Sequence, residues 1–376
     1  MPDDLAPLMR SWRQHLHAHP ELSLRESATA AYVCAALTAL GVPHIAGVGG
    51  HGVVGVLSRP GAGAVGLRAD MDALPIHETT ELPYASRHAG VMHACGHDGH
   101  TASLLGAAAL LRDDPAWSGT IYLVFQPAEE GFGGAEAMLA DGLLARFPMQ
   151  RIFGYHNWPG LEAGSVMLHE GPVMAGAANF SITLHGRAGH AAMPHECADP
   201  VQGLAHLILA LNSITARNKD PQEAGVISTC TLAAGEARNQ IPSAATLGGT
   251  IRALTPATMA LLKSRLTEIA RHTARAHDLT ADVDIFSSLA PTINSAAETA
   301  LAAQAAREAG LRVALAQRGS MAAEDFGRFL EVLPGAYAWI GNGPSAPLHN
   351  PAYDFNDAIL PVAARYLAAV AKVALI

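Results

Sequence analysis

Residues 93–100 concentrate side chains that can bind a metal ion. They read His-Ala-Cys-Gly-His-Asp-Gly-His and include three histidines, one cysteine and one aspartate. Cys95 and His97 can reach the same ion only across an extended or turned backbone, which Gly96 makes accessible. Asp98 is a candidate N-cap for the helix that follows. An isolated Cys-x-His would favour a polar loop around one buried cysteine, so a metal site requires further ligands elsewhere in the chain.

Further candidate ligands follow apolar segments that the sequence predicts as buried strands. Glu129 and Glu130 come shortly after the apolar run 120–126, and His156 comes directly after the run 151–155. Two adjacent carboxylates can divide the work of hydrolysis, because one can bind a metal while the other acts as general base and acid toward water. Taken alone, each of these residues would be typical of an ordinary solvated loop.

Three more residues extend this set of candidates. His349 lies in a proline-rich loop, and Asp70 and Asp72 follow a third apolar run, 64–69. The aspartates could bind metal themselves or accept the second ring N–H of a metal-binding histidine. We favour the second role, particularly for Asp72.

The elements that would position these residues alternate between strands and helices. Buried strands are predicted at 64–69, 120–126 and 151–155, and helix-like patterns occur at 27–40 and 99–112. Because candidate ligands follow each of these strands, the pattern predicts an α/β sheet with its site at the strand ends.

Residues 177–289 show a different pattern, which predicts a separate domain. Strand-like and helix-like segments occur in the order β-α-β-β-α-β, at 179–185, 200–216, 225–234, 245–254, 256–277 and 281–287. This order is that of the ferredoxin-like fold, a two-layer unit able to fold by itself. We therefore predict a discontinuous catalytic domain, 1–176 and 290–376, with an inserted domain at 177–289.

Length, charge and composition exclude several classes of protein. The 376 residues exceed what one hydrophobic core usually supports, which agrees with two domains. The formal net charge is -9 and there is no basic run, so nucleic acid is not an expected partner. We find no leader-like N-terminus, no bilayer-spanning apolar stretch and no paired cysteine spacing. We therefore expect a reduced, cytoplasmic protein with no membrane partner.

These motifs together resemble the M20 metallopeptidase family, in particular its branch of aminoacylases, hippurate hydrolases and plant auxin-conjugate amidohydrolases. The resemblance covers nearly the whole chain. It rests on ordered motifs at 19–21, 67–75, 93–100, 125–131, 186–194, 239–242 and 324–326. The fold it implies is an α/β catalytic domain of the zinc-peptidase type with an inserted ferredoxin-like dimerisation or lid domain.

The resemblance implies roles for the candidate residues of the catalytic domain. The ligands of two divalent metal ions per subunit correspond to Cys95, His97, Glu130, His156 and His349. The general base corresponds to Glu129. Many peptidase relatives carry a His-x-Asp ligand motif where this chain has Asp70-Met71-Asp72, and this departure fits the aminoacylase branch. Mixed thiolate, imidazole and carboxylate ligation leads us to expect zinc, with manganese, cobalt or nickel as alternatives.

The resemblance also implies roles for three residues of the inserted domain. His190 is similar to a residue that reaches into the site of the partner subunit and stabilises the oxyanion. Asn239 and Arg252 are similar to groups that hold the substrate carboxylate. Without the resemblance, all three would be ordinary polar residues of a small domain. The expected assembly is a homodimer or a higher homo-oligomer formed through 177–289.

The implied function is hydrolysis of the amide bond of N-acyl amino acids, hippurate-like or N-acetyl, by water that the metals activate and Glu129 deprotonates. A dipeptidase or carboxypeptidase of the same family is the nearest alternative. A non-catalytic metal-binding relative would retain the fold without turnover, but the chain keeps Glu129 and the whole ligand set. A thiol or redox enzyme built on Cys95 would leave the neighbouring histidines and carboxylates without a purpose.

Overall fold

The computed structural model describes residues 4–131 and 133–375. Its α-helices are α1 (Leu5–Ala18), α2 (Ser27–Ala39), α3 (His97–Asp113), α4 (Gly134–Ala140), α5 (Leu143–Arg146), α6 (Pro200–Ser213), α7 (Pro256–Ala276), α8 (Ala296–Glu308), α9 (Gly327–Leu330) and α10 (Leu360–Ala374). Its strands are β1 (His44–Val48), β2 (Gly52–Arg59), β3 (Ala64–Asp70), β4 (Gly119–Gln126), β5 (Arg151–Pro159), β6 (Val166–Leu168), β7 (Gly171–His185), β8 (Gly189–His190), β9 (Gly225–Ala234), β10 (Gln240–Ile241), β11 (Ala244–Ala253), β12 (Thr280–Leu289), β13 (Thr292–Asn294), β14 (Val313–Leu315), β15 (Ser320–Ala323) and β16 (Gly335–Gly343).

None of the helices in these two ranges combines the length and apolarity needed to cross a membrane. The expected cytoplasmic location stays a prediction.

The chain folds into two compact units. The larger contains the residues up to Val173, the segment Ile293–Arg318 and the residues from Asp325 onward, and the smaller contains Met174–Thr292 and Gly319–Glu324. The inserted domain was expected at 177–289, and the main segment of the smaller unit is Met174–Thr292. The segment therefore extends three residues further at each end than expected. Gly319–Glu324, which we expected in the catalytic domain, belongs to the smaller unit because β15 pairs with β7.

A mixed sheet forms the centre of the larger unit. Among the described residues it has eight strands, in the order β1-β2-β4-β3-β5-β16-β6-β14. β3 pairs in parallel with β4 and β5, and β5 pairs in parallel with β16. The carboxyl ends of these strands therefore meet at one edge of the sheet, where Asp70 ends β3 and Gln126 ends β4.

Continuous apolar segments bury this sheet. Almost every residue of β4 is buried, as expected of a strand covered on both faces. α3 is buried around most of its circumference and packs against α1 and α10. Gly106 lets α1 approach α3 closely, because a Cβ at this position would meet the Met9 side chain at 2.5 Å. The helix that begins at the candidate metal ligands is therefore held firmly in the core.

The smaller unit has the predicted β-α-β-β-α-β order. Its main sheet runs β12-β7-β11-β9 among the described residues, and neighbouring strands in this order are antiparallel. α6 and α7 pack against each other and against β11, with Leu207, Leu247 and Leu262 in one apolar core. The two sheets with their helices confirm the predicted α/β fold class with a ferredoxin-like unit.

Candidate metal centre

The turn before α3 brings Cys95 and His97 to the same place. Gly96 between them has a left-handed backbone with φ of 91°, and a Cβ there would meet the Asn157 side chain at 2.4 Å. Asn157 Nδ2 donates to the carbonyl of Cys95 at 2.8 Å, which holds the turn against β5. Both the backbone angle and the close approach therefore require glycine between the two candidate ligands.

The five candidate ligands form two groups that share Cys95. Cys95, His97 and His156 are buried and offer ligand atoms within 4.8 Å of one another. Cys95, Glu130 and His349 form a second such group. The Cys95 sulfur lies 3.4 Å from His156 Nε2, and Glu130 Oε1 lies 3.4 Å from His349 Nε2. The fold thus brings together residues that are far apart in the sequence.

Hydrogen bonds hold two histidine rings so that one nitrogen of each remains available. His97 Nδ1 lies 3.1 Å from Asp72 Oδ1 and 3.0 Å from the Asp72 carbonyl, which leaves Nε2 for a ligand. His156 Nδ1 donates to the Asn157 carbonyl at 2.7 Å, while its Nε2 lies next to Cys95. Metal-binding histidines are usually oriented through their second ring nitrogen in this way. Asp72 therefore lies where the favoured supporting role requires it.

Two buried polar atoms in this cluster, His97 Nε2 and Glu130 Oε1, have no hydrogen-bond partner among residues 4–131 and 133–375. They lie 3.9 Å apart. Because buried polar atoms are rarely left unpaired, this arrangement fits a cation shared by the imidazole and the carboxylate. One sulfur, imidazole nitrogens and carboxylate oxygens together form a donor set that suits zinc.

Burial and nearby negative charge set the ionisation of the ligands in this turn. Burial, together with the carboxylate of Glu130, raises the pKa of the Cys95 thiol well above its ordinary value. Burial by itself lowers the pKa of His97, but the carboxylates of Asp70 and Asp72 outweigh it and raise that pKa to about 10. Both groups therefore hold a proton at neutral pH until a cation takes its place.

Glu129 is buried beside this cluster, with 6% of its surface exposed. Its Oε1 accepts the backbone N–H of Asp325 at 3.3 Å, and its Oε2 lies 3.9 Å from His97 Nε2. The adjacent Glu130 is held differently, because its own N–H donates to Asp72 Oδ2 at 3.0 Å. The two neighbouring carboxylates thus have distinct surroundings, as a division into base and ligand requires.

Asp70 and His100 also belong to this region. Asp70 was expected to support a metal-binding histidine, whereas His100 was not among the predicted site residues. His100 Nδ1 lies 2.6 Å from Asp70 Oδ1, and His100 Nε2 accepts the N–H of Asn157 at 3.0 Å. Both ring nitrogens of His100 are therefore paired within the protein, which favours a supporting role. The position of His100 within 93–100 was a signal of proximity, but its pairing with Asp70 depends on the packing of α3 against β3.

The expectation that Asp98 caps α3 is wrong. The helix begins at His97 with Gly96 in the N-cap position, so Asp98 lies in the first turn. Its carboxylate lies 3.1 Å from Arg13 Nε and 2.8 Å from His17 Nδ1, and all three side chains are buried. Asp98 therefore anchors α3 to α1, a contact across more than eighty residues that no local pattern indicated.

In the smaller unit, two of the three predicted site residues lie close together. His190 is exposed on β8, which pairs with β10, and the Asn239 carbonyl accepts the N–H of Ala191 at 3.0 Å. Arg252 is half-buried near the far end of β11. At a rise of about 3.3 Å per residue, Arg252 lies ~26 Å from the start of β11. β10 comes just before that start in the chain. The structure thus places Arg252 apart from His190 and Asn239.

Comparison with known proteins decides the family. The model of peptidase family M20/M25/M40 matches residues 66–373. This chain belongs to that family. The resemblance inferred from the sequence motifs is therefore confirmed.

Relatives cover almost the whole of this M20 chain. The hippurate hydrolase of Campylobacter jejuni is 40% identical over 371 residues, which cover 98% of this chain and 97% of that protein. The N-acetyl-L-cysteine deacetylase of Bacillus subtilis is 38% identical over 362 residues, 96% of this chain and 86% of that protein. A crystal structure of a dinuclear metal-binding peptidase of family M20 from Bacillus subtilis has a TM-score of 0.90 at 31% identity, covering 100% and 99% of the two chains. These likenesses confirm the predicted amidohydrolase class.

Proposed function

We propose that this M20 chain is a metal-dependent amidohydrolase that cleaves the amide bond of N-acyl amino acids. The observation that carries the proposal is a set of donors next to the buried carboxylate of Glu129, namely Cys95, His97, Glu130, His156 and His349. A full donor set next to a carboxylate placed as a base favours catalysis over metal binding alone. The names of two relatives, a hippurate hydrolase and an N-acetyl-L-cysteine deacetylase, support this class of substrate.

The five donors would hold two divalent ions, and the mixture of thiolate, imidazole and carboxylate favours zinc. When bound, such ions polarise the acyl carbonyl and lower the pKa of a water molecule. Glu129 takes a proton from the attacking water, and its Oε2, on the side of His97, is the oxygen expected to receive it. Glu129 then delivers that proton to the amine nitrogen as the C–N bond breaks, which releases a carboxylic acid and a free amino acid.

We further propose that two subunits complete each site. Asn239 precedes β10, which pairs with the strand of His190 and comes just before β11, whereas Arg252 lies ~26 Å from the start of β11. An N-acyl amino acid is shorter than this distance, so we assign Arg252 and His190 at one site to different chains. We assign the substrate carboxylate to Arg252, whose planar group can bind it through two hydrogen bonds. The oxyanion is assigned to the partner's His190. The partner's Asn239, which lies close to that histidine, keeps the expected contact to the substrate carboxylate.

The test is release of free amino acid from hippurate, N-acetyl and N-indoleacyl amino acids and simple dipeptides. Each substrate is given to the purified protein before chelation, after chelation and after metal is restored. We expect hydrolysis of acyl amino acids that chelation abolishes and metal restores. Cleavage of dipeptides alone would favour a peptidase of the same family. No cleavage by protein that contains metal would favour a non-catalytic relative.

A further inference from the structure

Three charged side chains, Arg68, Asp70 and Asp325, are buried beside the metal centre. Arg68 Nη1 donates to Asp70 Oδ2 at 2.7 Å, and Arg68 Nη2 donates to Asp325 Oδ1 at 3.1 Å. Removing such charges from water costs about as much free energy as their attraction returns. Stability therefore does not explain this arrangement.

The carboxylate of Asp325 joins the two ends of the loop that carries Glu129. Gln126, the last residue of β4, donates through Nε2 to the two Asp325 oxygens at 2.7 and 2.9 Å. Ala135, in the first turn of α4, donates its backbone N–H to Asp325 Oδ2 at 3.0 Å. The loop 127–133 joins these two elements. One carboxylate thus contacts the residues at both ends of the loop, which a backbone hydrogen bond from Gly134 to the Ala128 carbonyl at 3.0 Å also joins.

Residues from outside contact the loop 127–133, of which the structure describes 127–131 and 133. The loop reads Pro-Ala-Glu-Glu-Gly-Phe-Gly, and its glycines add backbone freedom. Ala128 has a left-handed backbone with φ of 53°, which is uncommon for a residue with a side chain, and its N–H donates to Glu26 Oε1 at 2.7 Å. Gly134 lies very close to Pro127, because a Cβ added to Gly134 would come within 1.6 Å of the Pro127 carbonyl oxygen. Glu26 and Asp325 therefore hold this conformation from outside the loop, in addition to the bond between Gly134 and Ala128.

Asp325 also contacts the base directly, because its backbone N–H donates to Glu129 Oε1 at 3.3 Å. Arg68 and Gln126 hold the side chain of the same residue, and these contacts restrict where the Asp325 N–H can lie. Arg68 is itself held by further bonds, from Nε to Gln126 Oε1 at 2.7 Å and from Nη1 to the Tyr337 hydroxyl at 3.2 Å. The chain of contacts thus runs from a buried cation to the carboxylate of Glu129.

We propose that Asp325, held by Arg68, is a positioning residue that keeps Glu129 in the orientation from which it takes a proton. The inference rests on the proposed function, in which Glu129 is the general base. Asp325 would affect turnover through Glu129 without touching the substrate. Its loss should therefore reduce kcat far more than it changes KM or metal binding.

Asp325→Asn tests this, because it keeps the size of the side chain but removes the charge that pairs with Arg68. In the metal-loaded enzyme, with the best N-acyl amino acid of the panel, we expect kcat to fall about 10- to 100-fold and KM to change less than about twofold. Metal content should equal that of the wild type. Asp114→Asn removes the 2.7 Å contact with Lys372 at the far end of α3 and is the matched control, with wild-type kcat expected.

A double-mutant cycle distinguishes positioning from a merely structural role. If Asp325 acts through Glu129, Asp325→Asn adds no further loss once Glu129→Gln has removed the base. The proposal would be overturned if the losses of kcat from the two substitutions were additive. It would also be overturned if Asp325→Asn lost metal or kept the wild-type kcat. If Asp325→Asn does not fold, Arg68→Lys replaces it in the double-mutant cycle with Glu129→Gln. This substitution keeps the positive charge but removes the planar guanidinium, and we expect the same result. Wild-type turnover in Glu129→Gln alone would overturn the base assignment itself, and this inference with it.

Discussion

Glu129 and Glu130 are adjacent in the sequence but have different chemical surroundings. Glu129 accepts the N–H of Asp325. Glu130 Oε1 lies 3.4 Å from His349 Nε2 and has no hydrogen-bond partner within the described part of the chain. We expect Glu129→Gln to lower kcat roughly 10²- to 10⁴-fold with metal still bound, because it removes proton transfer alone. Glu130→Gln should instead lose metal. Turnover and metal content of the two variants check this division, and equal metal loss in both would contradict it.

The buried thiol of Cys95 makes metal binding depend on pH. Burial and Glu130 raise its pKa, so the thiol is protonated at neutral pH in the metal-free protein. A metal binds the thiolate, so binding releases this proton and becomes tighter as pH rises toward the raised pKa. When saturating zinc is added near pH 7, we expect the wild type to release about one proton more per subunit than Cys95→Ala. A pH-indicator dye measures the protons released.

The control for this measurement is Cys230→Ala, which removes an exposed thiol of the smaller unit. It should release as many protons as the wild type. Equal release from the wild type and from Cys95→Ala would show that this thiol does not bind the metal.

Among the secondary-structure elements, α1 is tied to the first turn of α3 by buried charges. Arg13 and His17 both contact Asp98, and His17 Nε2 lies 3.2 Å from Glu78 Oε1. Arg13 also contacts Asp354, in the segment that follows the loop of His349. The N-terminal helix therefore connects the parts of the larger unit that carry candidate ligands.

The His17 contact should stabilise the larger unit in a pH-dependent manner. Burial lowers the pKa of His17, but its hydrogen bond with Asp98 and the charge of Asp98 outweigh burial and raise it to about 9. A pKa raised in the folded state gives a stabilisation that is complete below the ordinary value of 6.5 and is lost as pH rises through about 9. This shift corresponds to a free energy on the order of 3 kcal/mol. His17→Gln should therefore destabilise the metal-free unit more near pH 6 than above about pH 9.

Urea unfolding followed by tryptophan fluorescence measures this effect selectively. The four tryptophans all belong to the larger unit, and they are Trp12, Trp117, Trp158 and Trp339. His51→Gln, in the turn between β1 and β2, is the matched control and should leave the pH dependence of unfolding unchanged. Equal destabilisation by His17→Gln at both pH values would mean that His17 is not charged in the folded protein.

For the whole assembly, the proposed shared site predicts complementation between inactive subunits. Glu129 belongs to the larger unit and His190 to the smaller. If each site takes Glu129 from one subunit and His190 from its partner, a mixed dimer of Glu129→Gln and His190→Ala chains has one complete site. Random mixing of equal amounts makes half of the dimers mixed, and each mixed dimer has one complete site out of two. About a quarter of the wild-type activity should therefore return.

The control places both substitutions in one chain and mixes that chain with the wild type. Each mixed dimer then lacks the base in one site and His190 in the other, so only wild-type dimers remain active. Sedimentation of the same samples checks that mixed assemblies form. No recovery on mixing the two single variants would mean that each chain completes its own site.

Much of the fold could be predicted from local patterns. The apolar runs 64–69, 120–126 and 151–155 begin within one residue of β3, β4 and β5. Strands buried on both faces are apolar along their length, so their pattern can be recognised before their partners are known. β5, however, continues past the predicted end through His156 to Pro159, because it pairs with β16 over this stretch. That partner lies far along the chain and leaves no mark on the local pattern.

The sequence by itself determined the class of chemistry, since few residue types bind metal and the ordered motifs of the M20 family carry them. It also determined the α/β plan, because apolar periodicity is local. Only the tertiary structure decided which buried charges meet, such as Arg13 with Asp98 and Arg68 with Asp325. A buried charge is tolerated only when packing brings a partner to it, and packing depends on residues distant in the chain. For that reason the contacts that hold the loop of Glu129 appear in the fold and not in the motif.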